Sequence, residues 1–172
     1  MKVEFSDRPK RDRDSNNVSI YHKTRYVSGA TWNNDGKFIY YVESESGDIQ
    51  YVKVFDAELE TVVDSLRFID QAGILDYNNT LNLLAVGFES VKVIDPITKS
   101  IVDLINFPTG VNFFNPRIQE MKWSPDGKYL AISFRAGNIT MSESFLVVYD
   151  FTTKNYIYSL KSIHKIKIFF EL

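Results

Sequence analysis

The chain has 172 residues, of which 24% are charged, 44% hydrophobic and 15% aromatic, with a formal net charge of −2. So balanced a charge gives no global field that would attract nucleic acid or an acidic membrane, and the lack of cysteine excludes a disulfide framework, a thiolate metal site and a thiol nucleophile. The opening Met1-Lys2-Val3-Glu4-Phe5-Ser6-Asp7-Arg8 has no apolar h-region and no apolar run reaches bilayer length, so the expected compartment is intracellular and cytoplasmic.

Residues 1–17 read as a charged flexible tail, because Arg8, Lys10, Arg11 and Arg13 are offset by Asp7, Asp12 and Asp14 and no aromatic residue falls between Ser6 and Asn17. The same offset disfavours a basic arm for RNA. Val18-Ser19-Ile20-Tyr21 then has the composition of a short strand.

A first unit, about 26–68, carries Trp32-Asn33-Asn34-Asp35-Gly36-Lys37 between two apolar runs, then Val54-Phe55-Asp56 and the polar turn Ala57-Glu58-Leu59-Glu60-Thr61. The second, about 72–107, repeats the order with Tyr77-Asn78-Asn79, the continuous runs Leu83-Leu84-Ala85-Val86 and Val91-Lys92-Val93-Ile94, and the turn Asp95-Pro96-Ile97-Thr98-Lys99. Between the second and third units, 106–117 holds Phe107, Phe113 and Phe114 with two prolines, which suit a wedge between neighbouring sheets better than a partner surface. The third unit, about 117–160, has Trp123-Ser124-Pro125-Asp126-Gly127-Lys128, in which Pro presets φ, Asp bonds nearby amides and Gly takes φ > 0. Its flanks alternate, Tyr129, Ala131 and Ser133 on one side and Leu130, Ile132 and Phe134 on the other, and it closes on Val148-Tyr149-Asp150. Arg135 to Ser144 reads as a long hairpin loop.

The aromatic residues Trp32, Tyr77 and Trp123 stand 45 and 46 residues apart, the period of a four-stranded propeller blade. On these residues the chain resembles the WD-repeat and WD-like β-propeller family from about Val18 to its end, the Trp123–Lys128 turn being the strongest match and the Asp95–Lys99 turn the next. The family's Trp-Asp pair stands here as Phe55-Asp56, Ile94-Asp95 and Tyr149-Asp150, and its Gly-His pair is missing, so the usual buried His–hydroxyl–Asp–Trp tetrad does not form. The fold class expected is therefore all-β, an incomplete β-propeller of about three four-stranded antiparallel blades.

Propellers close with four to eight blades. One more period from Trp123 falls on Phe169, so residues 163–172 read as the start of a fourth blade, and 18–172 as three blades and a fragment. The expectation is an N-terminal part of a larger protein, with a half-propeller closed by a second copy or a blade-donating partner as the other arrangement. Open blade edges, and the strand carrying Ile166, Ile168, Phe169 and Phe170, would favour self-association.

No catalytic, cofactor-binding or metal-ligating residue stands out. His22 and His164 have no second ligand at metal spacing; Glu43, Glu45 and Asp48 lack the order of a calcium loop; and no Gly-x-Ser-x-Gly elbow or phosphate loop occurs. What the resemblance implies is a non-catalytic protein–protein interaction scaffold, needing no cofactor. The alternative is the N-terminal half of a propeller enzyme of lactonase or hydrolase type, suggested by the stretch from Val93 to Val102.

Overall fold

The computed structural model of the protein describes residues 26–44, 50–68, 72–107, 116–137 and 142–162. The 1–17 tail, both histidines, residues 45–49 of the acidic cluster, most of the Phe-rich link and residues 163–172 lie outside the described residues. Among the described residues the structure is all-β, with no helix and so none able to cross a membrane.

Twelve strands form three four-stranded antiparallel sheets, each a simple meander. The first sheet is β1 (Tyr26–Trp32), β2 (Phe38–Ser44), β3 (Gln50–Asp56) and β4 (Thr61–Phe68). The second is β5 (Ile74–Asn78), β6 (Leu83–Gly87), β7 (Val91–Ile94) and β8 (Ile101–Ile105). The third is β9 (Arg117–Trp123), β10 (Tyr129–Gly137), β11 (Ser142–Asp150) and β12 (Asn155–Ser162). The first strands β1, β5 and β9 run side by side, while β4, β8 and β12 splay outwards, so the sheets stand as three blades of a propeller arc.

Both faces of the middle blade are covered, which is why its strands are apolar without alternation. On one side Leu75, Tyr77, Leu84, Val86 and Ile94 pack against Tyr40, Val42, Val52, Val54 and Leu66 of the first blade. On the other, Ala85, Val91, Val93 and Ile105 pack against Met121, Trp123, Leu130, Ile132, Phe134, Phe145, Val147 and Tyr149 of the third. Phe107 contributes to that second core, its ring 4.3 Å from that of Phe134, as a wedge would.

Two turn chemistries recur. In the β3–β4 turn Asp56 accepts the N–H groups of Glu58 and Leu59 at 2.9 and 3.0 Å; Asp95 does the same for Ile97 and Thr98, and Asp150 for Thr152 and Thr153. These carboxylates hold the chain in one tight reversal, which ends on a non-glycine residue with positive φ: Glu60 at 51°, Lys99 at 60°, Lys154 at 57°. In the β1–β2 and β9–β10 turns Asn33 and Ser124 accept from the amides of Phe38 and Tyr129, and Gly36 and Gly127 take φ of 71° and 72°. The middle blade has no glycine there. Asn82 takes the left-handed conformation one residue later, and Asn78 receives the amides of Thr80 and Leu81.

The stretch from Arg135 to Ser144 differs from its reading as a loop. Pairing of β10 with β11 continues from Tyr129↔Asp150 out to Gly137↔Ser142, leaving only 138–141 between the strands. The hairpin lengthens because Phe134 and Phe145, stacked at 5.1 Å, and Ala136 extend the buried face outward.

Candidate interaction surface

Cross-strand register places one residue from each strand of a blade in a row across the sheet, on one face. In the third blade Trp123 pairs with Leu130, Leu130 with Tyr149 and Tyr149 with Tyr156. In the second the same row reads Tyr77, Leu84, Ile94 and Ile101. In the first it is Trp32, Ile39, Phe55 and Val62. This row inserts the second and third blades into the one before, so the aromatics singled out by their spacing share one position in the blade, and Tyr77 and Trp123 do one job there.

The face behind it receives. The receiving row of the first blade is Thr31, Tyr40, Val54 and Asp64, and that of the second is Asp76, Ala85, Val93 and Asp103. Tyr77 stacks on Tyr40 with ring centroids 5.4 Å apart. The larger Trp123 faces a row whose second member is only Ala85, a pairing of large with small that keeps the inter-blade volume filled. Next to it Gly87 leaves room for the third blade, since a Cβ there would come within 2.8 Å of Ile118 Cδ1 and Met121 Sδ and oblige those side-chain ends to shift.

Polar contacts lock the rim of both joints and the inner end of the second. At the inner end Asp76 accepts the Trp123 N–H at 2.7 Å and the Lys122 ammonium at 2.8 Å, which satisfies an amide on the free edge of β9. At the rim, Asp64 of the first blade accepts Lys99 of the second at 2.6 Å, and Asp103 of the second accepts Lys154 of the third at 2.8 Å. Lys99 holds the Asp64 carboxyl below the usual carboxylate range. Tyr149 donates to Asp103 at 3.2 Å, and burial with that neighbouring charge pushes its phenol up to about 12. Burial and the adjacent Tyr77 likewise push Tyr40 up to about 12.

Against this pattern no described strand covers the inserting row of the first blade. Trp123 is 6% exposed and Tyr77 9%, whereas Trp32 is 52% exposed and Val62, at the outer end, 46%. Ile39 and Phe55 between them are partly buried. An aromatic row built to enter a neighbouring sheet is thus open to solvent, with Val27 exposed on the same strand as Trp32. Its rim position carries Glu60 where the other two blades carry Lys99 and Lys154, and Glu60 makes no ion pair among the described residues.

The rim pairs were missed in the sequence, although a signal was there. Lys99 and Lys154 each fall four residues after the turn aspartate, and Asp64 and Asp103 each fall eight after theirs. Of the residues considered for chemistry, Glu43 and Ser44 form the end of β2, and no group of three or more His, Cys, Asp or Glu residues able to hold a metal occurs among the described residues. The Trp123 indole N–H is buried without an acceptor, so this aromatic is held by packing, including the edge of Phe151 at 5.3 Å, and not by a polar tetrad.

No protein-family model matches the chain, and no curated protein matches it significantly. Its fold is similar to that of a chain in the crystal structure of a mitotic checkpoint complex, with a TM-score of 0.50 and 13% identity. The match covers 79% of this chain and 51% of the other, so the chain spans about half the length of that structural relative. At this identity the likeness is one of fold, and it agrees with three blades of a β-propeller.

Proposed function

We propose that the chain is a non-catalytic protein–protein interaction scaffold of the WD-like type, which binds its partner through the uncovered inserting row of the first blade. The observation that carries this reading is the contrast between Trp32 and its buried equivalents Tyr77 and Trp123. An exposed Trp flanked by aliphatic and aromatic side chains has the composition of a binding hot spot. The fold neighbour belongs to a complex, which agrees with a scaffold role.

Affinity capture with the full chain and with a Trp32→Lys variant as paired baits tests this. The expected result is a protein recovered with the first bait and lost with the second, while both baits unfold at the same denaturant concentration. Recovery that is equal with both baits, or absent with both, would contradict the reading.

A further inference from the structure

Each joint between blades uses the same two-ended arrangement, an aromatic inserted at the inner end and an ion pair at the rim. In both joints the receiving blade supplies the anion, Asp64 or Asp103, and the inserting blade supplies the cation, Lys99 or Lys154. The first blade presents the inserting aromatic Trp32 but has the charge reversed, because Glu60 occupies the place of the two lysines in the same left-handed conformation. Neighbouring Glu58 already has Lys37 at 3.6 Å, so the uncompensated anion at this corner is Glu60.

We propose that the exposed row of the first blade docks a β-sheet of a partner protein that offers a small side chain to Trp32 and a Lys or Arg to Glu60. This rests on the scaffold reading and specifies its partner. The recognition chemistry is that of the existing joints with the rim charge inverted. An acidic residue opposite Glu60, as in both internal joints, would set two carboxylates against each other at a desolvating rim.

A second copy of this chain does not meet the requirement. Its own receiving row is Lys122, Ala131, Val148 and Tyr158. Tyr158 brings no cation to the rim, so a copy docked there would leave Glu60 without a counter-charge.

The test uses the full chain with the photo-crosslinker p-benzoylphenylalanine in place of Val62, beside Glu60, and leaves Trp32 intact. The expected adduct is with another protein, on a β-strand with a Lys or Arg within two residues of the crosslink. Glu60→Lys, which restores the residue type that both other turns tolerate, is expected to lower the adduct yield roughly tenfold or more, with Glu60→Gln falling between. Mutating the partner's cation to Glu is expected to restore binding to the Glu60→Lys chain. An adduct only with another copy, an adduct yield unchanged by Glu60→Lys, or no adduct at all would overturn the proposal. The scaffold reading is judged separately, since capture lost with Trp32→Lys would stand even where Glu60→Lys changes nothing.

Discussion

Three aspartates at equivalent places show how a single side chain fixes a turn. Asp56 is almost wholly buried, accepts two amides and faces Lys37 at 3.8 Å, so Asp56→Ala is expected to cost about 1–2 kcal/mol in urea unfolding. Four residues on, Glu60 holds a left-handed conformation that a Cβ disfavours by about 1 kcal/mol. Asn tolerates this conformation better than Glu because its short side chain bonds the local backbone, so Glu60→Asn is expected to raise the melting temperature slightly. The aspartates were legible in the sequence because the same residue recurs before each polar turn. The conformation of Glu60, Lys99 and Lys154 was not, since none is a residue type that announces positive φ. Buried phenols add a pH dependence with a definite sign. Tyr40 and Tyr149 keep their protons in the folded state up to about pH 12, so their contribution is complete below the ordinary tyrosine value near 10 and is lost as pH rises through 12. Spectrophotometric titration is expected to show a late class of tyrosines that ionises together with alkaline unfolding; a single class near pH 10 in the folded protein would contradict it.

At the scale of strands and turns, glycines with similar φ have different surroundings. Gly29, at φ 59°, forms the bulge in β1, and a Cβ there would lie 2.6 Å from the Gly73 carbonyl oxygen of the next blade. A Cβ on Gly36, at φ 71°, would meet nothing within 4 Å. Gly36→Ala should thus cost only the backbone term of about 1 kcal/mol, and Gly29→Ala distinctly more, because the strand must also move away from its neighbour. Equal costs in denaturant unfolding would show that the close approach carries no energy. The Asp-capped turns also act together. Hydrogen bonds from Lys99 to Asp64, from the Thr98 amide to Asp95 and from the Thr153 amide to Asp150 lower these carboxyls. Their stabilisation is present above the ordinary Asp value and declines as pH falls below about 4. Alternation and turn residues made the strands readable, but the Arg135–Ser144 hairpin was read as a loop because Arg, Gly, Asn and Ser outnumber apolar residues there. The structure pairs its arms because only Phe134, Ala136 and Phe145 are needed to bury one face.

For the whole molecule, the 45-residue period carried the fold, and it did so because each aromatic occupies one position in a repeated joint. What the period could not reveal was the environment of that position. Trp32 and Trp123 have the same local sequence signature, yet one faces a blade and the other faces solvent. The site was therefore only half legible: the residue was visible in the sequence and its exposure was not. Truncating the two gives unequal losses, with Trp123→Ala costing about 3–5 kcal/mol as a buried aromatic and Trp32→Ala a small fraction of that. The most direct measurement is acrylamide quenching of the Trp123→Phe chain, whose one remaining tryptophan reports on the first blade alone. Red-shifted, readily quenched emission that becomes blue-shifted and shielded when the captured partner is added is what an open docking row requires. Emission already blue-shifted and shielded in the isolated chain would mean that Trp32 is core, and that the first blade has no open face to offer.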